Sequence, residues 1–173
     1  MNLTSNQSAP RRIMIEFLYL DLARCTRCRD TDRNLEAALA DAARILRTNG
    51  VDVEVRKIHV QSEEQARELR FVSSPTIRVN GRDIAFELKE SRCEGCSCGC
   101  EDDGVTCRVW TYQGRDYDAA PKELIVDAVL KAASDASSEP THTVNRIADV
   151  PENLKRFFAA TRREESARSN ACC

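Results

Sequence analysis

Two strand patterns joined by one helical pattern, all between residues 12 and 60, restrict the fold of this chain more than any other feature. Residues 12–20 (RIMIEFLYL) alternate and cluster apolar groups as a buried strand does. Leu35, Ala38, Leu39, Ala42, Ile45 and Leu46 then recur at three- and four-residue spacing, which gives one apolar stripe on a helix. Asn49-Gly50 ends that helix, and Val51, Val53 and Val55 alternate in a second strand over residues 51–60. A helix returning the chain in so short a space makes the two strands parallel, so a βαβ unit is expected.

Ser62 and its acidic neighbours begin a short helix over 62–70. Pro75 can only start or flank the strand that follows, because it has no N–H for the ladder. Asn80-Gly81 is a two-residue hairpin signal, and residues 82–88 alternate again as its return strand. Residues 91–107 read as a Cys-, Gly- and acid-rich loop, and CRVWTY (107–112) as a short strand. Pro121 opens a helix to about residue 133, with Leu124, Ile125, Ala128, Val129 and Ala132 on its apolar face. The expected organisation is a leader (1–10), an α/β domain (11–134), a linker (135–150), a helical extension (151–168) carrying Leu154, Phe157 and Phe158, and a Cys-Cys tail (169–173).

Nine cysteines in 173 residues are the compositional anomaly, and they fall into three groups. Cys25 and Cys28 form a CxxC directly after the first strand and before the first helix. Cys93, Cys96, Cys98, Cys100 and Cys107 lie in the Cys-rich stretch, and Cys172 and Cys173 end the chain. A secreted disulfide scaffold would be shorter and carry an even count. The apolar run at 13–22 is interrupted by Glu16 and Asp21 and is too short to span a bilayer. A cytoplasmic protein is therefore expected. With 26 basic against 28 acidic residues, no charge excess points to nucleic acid or a membrane surface.

The order of elements, the CxxC (CTRC, 25–28) and the Ser-Pro-Thr (74–76) that opens the hairpin resemble the thioredoxin superfamily over about residues 12–133. The closer resemblance is to small Cys-rich thioredoxin-like proteins of uncharacterised function. It implies a βαβ-α-ββα core with a Cys-rich insertion (91–107) and a C-terminal helical extension, and a cis Pro75 beside the thiols. The chain departs from thioredoxin itself in having no Trp before the CxxC and no Gly-Pro within it.

The chemistry also follows from the residues. A thiol at a helix N-terminus meets partial positive charge and free amides, which favour the thiolate. Arg24, Arg27 and Arg29 should lower its pKa further, partly offset by Asp30 and Asp32. Cys28, two turns before Leu35 on the same stripe, should be the buried resolving thiol, leaving Cys25 exposed as the nucleophile. The catalytic set expected is thus Cys25, Cys28 and Pro75. A thiol–disulfide oxidoreductase of this kind needs no cofactor, and its partners are protein or small-molecule disulfides and thiols.

The alternative is soft-metal or metalloid binding (Zn, Hg or As) through Cys93, Cys96, Cys98, Cys100, Cys107, Cys172 and Cys173. Four thiolates suit a tetrahedral Zn²⁺, and softer ions bind such sites more tightly. The 93–107 spacing matches no standard zinc finger, so disulfide staples stand beside metal as a reading of it, and a transient relay of these thiols to Cys25 is a third. The terminal pair resembles the C-terminal Cys pair of mercuric reductases. His59 and His142 are too far apart in the chain to suggest a Cys-His hydrolase. His59 is expected to pack or be solvated, and His142 falls in the linker.

Overall fold

A computed structural model describes residues 11–92, 105–135 and 148–170. Among these residues it is a mixed α/β protein with two sheets and four helices. β1 (Arg11–Tyr19) and β2 (Val51–His59) pair in parallel through α1 (Thr26–Thr48), as the connection length requires. α2 (Glu63–Glu68) leads to β3 (Thr76–Val79), which pairs antiparallel with β1 and with β4 (Arg82–Asp83). The first sheet therefore runs β2-β1-β3-β4.

β1 shows why its sequence both alternates and clusters. Ile13, Ile15 and Phe17 face α1 and α3 (Lys122–Ser134), meeting Leu35, Ala38, Leu46, Leu124 and Ile125 in the main core. Leu18 and Leu20 emerge on the opposite face. There they meet Val60, Ala66 and Phe71, and α4 (Glu152–Asn170) closes over them with Leu154 and Phe158. The C-terminal helix is thus part of the fold, and its apolar stripe is consumed by packing. Of the α1 stripe, Ile45 alone is left exposed.

Two expectations need correction. The return strand expected over 82–88 stops at Asp83. Ile84 still reaches the core, but Phe86 and Leu88 point to solvent, so the alternation there never became a buried face. The Cys-rich stretch is not all loop. Its flanks form β5 (Lys89–Arg92) and β6 (Thr106–Tyr112), which pair antiparallel, and β7 (Arg115–Tyr117) completes a second sheet. Gln113 and Gly114 both take positive φ at the β6–β7 turn, as Asn80 and Gly81 do at β3–β4.

β6 is anchored to the first sheet by its backbone and by one charge. Arg108 N–H donates to the Ser74 carbonyl at 2.8 Å. The buried Arg108 side chain pairs with Asp83 at 2.8 Å and lies over the Trp110 ring. Among the described residues, no helix is long and apolar enough to cross a membrane.

Candidate thiol site

The loop leaving β1 turns on Asp21, whose carboxylate accepts the Ala23 and Arg24 N–H groups. That turn sets Cys25 as the N-cap of α1, a position more often held by an oxygen side chain. The Cys28 N–H donates to Cys25 Sγ at 3.3 Å, so sulfur fills the capping role. Cys28 follows in the first turn with no exposed surface, and its Sγ lies 3.4 Å from the Ser74 hydroxyl. Ser74 also accepts the Leu20 N–H at 3.2 Å, which ties the end of β1 to the start of β3. The Ser74–Pro75 peptide bond is cis, as the resemblance implied. CxxC and Ser-Pro, 46 residues apart at Cys28 and Ser74, therefore meet at one point.

A third thiol joins them. Cys107, on β6, is buried with Cys25, Cys28 and Val105 in a small cluster bordered by Tyr19, Leu22 and Phe157. It donates a hydrogen bond to Cys25. This donor, that of the Cys28 thiol, and the backbone N–H groups of Cys28 and Arg27 outweigh burial and lower the Cys25 pKa to about 3 from an ordinary 9.0. The donors respond in the opposite sense. Hydrogen bonding to Cys25 first, then burial, push the Cys28 and Cys107 thiols well above their usual range. The resting site is one thiolate held by two thiols.

Two expectations about Cys25 are revised. It is not exposed beside a buried Cys28: it retains only 6% of its surface, because β6 and the Val105–Cys107 segment lie over it. The causes of its ionisation are hydrogen bonds, not the charges of nearby arginine side chains. Arg24 pairs with Glu164 at 2.7 Å, and Arg29 bonds the Ala23 carbonyl and the Thr26 hydroxyl. Arg27 turns to the Cys107 and Arg92 carbonyls and to Asp118. It serves as a clamp that holds β5 and β6 against the N-terminus of α1. Asp32, expected to oppose the arginines, is paired with Lys57 at 2.7 Å.

Cys107 is thus placed with the reactive pair. Cys93, Cys96, Cys98, Cys100, Cys172 and Cys173, expected with it as metal ligands, lie outside the described residues, as does His142. Among the described residues no group of three ligating side chains is arranged to hold a metal ion. His59 bonds the Leu20 carbonyl through Nε2 and stacks on Tyr19, so it is engaged away from the thiols. A cleft of about 460 Å³ adjoins the site, lined by Asp21, Leu22, Arg24, His59, Phe157 and Glu164 among others. Leu22 and Phe157 form the wall it shares with the thiol cluster.

The sequence did not single out Cys107 from the other thiols of 93–107 as the neighbour of Cys25, and it set Ser74-Pro75 opposite the CxxC without naming the Ser74 hydroxyl as a partner of Cys28. A signal for the first was present. Six residues separate Cys107 from Cys100, and it opens an apolar strand pattern instead of lying within the Gly-rich run. A family model described as a domain of unknown function (DUF2703) matches residues 13–129, a span that holds all three described thiols and Pro75. No curated protein and no solved structure matches the chain.

Proposed function

We propose that this chain, which belongs to the DUF2703 family, is a thiol–disulfide oxidoreductase built on a thioredoxin-like core, with Cys25 as its nucleophile. The carrying observation is a thiol at the N-cap of α1 that accepts the Cys28 N–H at 3.3 Å within a buried cluster of three thiols, a setting that lowers its pKa to about 3. A thiolate is the attacking species in disulfide exchange, and this one persists throughout the neutral range. The strand order β2-β1-β3-β4, the thiol pair at the β1–α1 junction and the cis Ser74–Pro75 bond beside it support the thioredoxin-like reading of the core.

In the forward direction the Cys25 thiolate attacks one sulfur of a substrate disulfide. The substrate S–S bond breaks, one substrate thiolate leaves and takes up a proton, and Cys25 carries the other half as a mixed disulfide. An internal thiol then attacks Cys25 Sγ, closing a protein disulfide and releasing the second substrate thiol. Two protein thiols are oxidised and one substrate disulfide is reduced. A small dithiol can return the protein to its starting state.

The experiment is steady-state reduction of a small-molecule disulfide with a dithiol as terminal reductant. Cys25→Ser should bring the rate down to that of the uncatalysed reaction. A variant that keeps the wild-type rate would overturn the assignment.

A further inference from the structure

Cys107 lies on the strand that covers Cys25, and four contacts fix that strand and its two sheet neighbours in place. The Arg108 N–H bonds the Ser74 carbonyl, and Arg27 reaches the Cys107 and Arg92 carbonyls while pairing with Asp118 at 2.7 Å. The Cys107 side chain is thereby held with Cys25 in one buried cluster. A disulfide between them forms when side-chain rotation brings the two sulfurs to roughly 2.05 Å.

We infer that Cys107 is a second internal disulfide partner of Cys25, so that the site carries three redox thiols and two routes for resolving a mixed disulfide. The inference rests on Cys25 being the nucleophile. Once Cys25 bears a substrate half, its negative charge is gone. The contact that held the protons on Cys28 and Cys107 is gone with it. Each then has its own help in ionising: the Ser74 hydroxyl beside Cys28, and the Arg27 guanidinium near Cys107. Cys28 has no exposed surface, whereas Cys107 keeps 6%.

In the second route Cys107 gives up its proton to the departing thiolate and attacks Cys25 Sγ. The Cys25–substrate S–S bond breaks and a Cys25–Cys107 bond forms. Two electrons pass to the substrate, as in the first route. The product is a cross-link between α1 and β6, and Cys28 stays reduced.

The test uses the full chain with Cys93, Cys96, Cys98, Cys100, Cys172 and Cys173 replaced by Ser, so that three thiols remain. One equivalent of a small aromatic disulfide is added, free thiols are alkylated, and the peptides are mapped by mass spectrometry. With Cys28→Ser added, the expected product is a Cys25–Cys107 cross-linked peptide with little retained aryl adduct. With Cys28→Ser and Cys107→Ala together, the adduct should remain on Cys25. Unfolding curves of each variant identify any loss of fold, and mapping of the three-thiol protein itself, where Cys25–Cys107 should appear beside Cys25–Cys28, needs neither variant. If Cys107 is alkylated throughout, and the Cys28→Ser protein holds its adduct as fully as the double variant, the inference fails. Wild-type turnover with dependence on Cys25 would survive that result, so the two readings fail separately.

Discussion

A cysteine at an N-cap does two things at once, and at Cys25 they reinforce each other. As a cap it accepts the Cys28 N–H, a role that favours a charged sulfur because anions are stabilised at a helix N-terminus. As a member of a thiol cluster it accepts from Cys107 and Cys28, and these are the two largest causes of its lowered pKa. The rate of iodoacetamide alkylation at Cys25 should therefore be nearly flat from neutrality down to about pH 5, with its inflection well below that of an ordinary thiol. Cys107→Ala removes the leading donor. A hydrogen bond to a charged group contributes about 1.5–3 kcal/mol, so the inflection should move up by about 1–2 pH units. An unmoved inflection would mean that the Cys28 thiol and the backbone amides hold the thiolate without Cys107. The nucleophile itself was legible in the sequence, since a CxxC between strand and helix points to it. Its burial was not, because the covering residues come from a strand about eighty positions later.

At the scale of elements, the sequence is most informative where periodicity and burial coincide. α1, β1 and α3 bury their apolar patterns, and each was readable; β2 was read from Val51, Val53 and Val55, of which Val51 is buried, Val53 half-buried and Val55 exposed at the sheet edge. β4 was overread, because alternation in residues 82–88 has no meaning once the chain leaves the sheet after Asp83. β5 and β7 were missed because they carry almost no apolar signal: their residues are Lys89–Arg92 and Arg115–Tyr117, and they pair through backbone groups. α4 shows how one helix serves two ends. Leu154 is fully buried among Leu18, Val60 and Phe71, so Leu154→Ala should cost about 2–5 kcal/mol of stability. Phe157 is only half-buried and borders both that cluster and the thiols. Phe157→Ala should cost less, yet it should speed alkylation of Cys25 by opening the wall shared with the cleft. Denaturant melts and timed alkylation of the two variants would separate these effects. Equal rates of alkylation in wild type and Phe157→Ala would remove Phe157 from the path to the thiol.

For the whole molecule, the three thiols couple the site to folding through protons. In the unfolded chain each would titrate near the ordinary 9.0. In the folded chain Cys25 is ionised down to about pH 3, while Cys28 and Cys107 stay protonated above 9.0. Between about pH 3 and 9 the unfolded state therefore binds one more proton at this site than the native state, and stability rises with pH. Above pH 9 the sign reverses, because the native site holds two protons that the unfolded chain releases. Cys25→Ala removes the charge and, with it, the main reason its neighbours keep their protons. The wild-type curve of unfolding free energy against pH should thus exceed the variant's slope by up to about 1.4 kcal/mol per pH unit between pH 5 and 8. Exposed carboxylates with lowered pKa, such as Glu36 and Asp116, titrate alike in both proteins and cancel in the difference. Urea denaturation of the reduced proteins at several pH values measures this directly. Parallel curves would mean that Cys25 is protonated at neutral pH, which would withdraw the thiolate on which the proposed exchange chemistry depends.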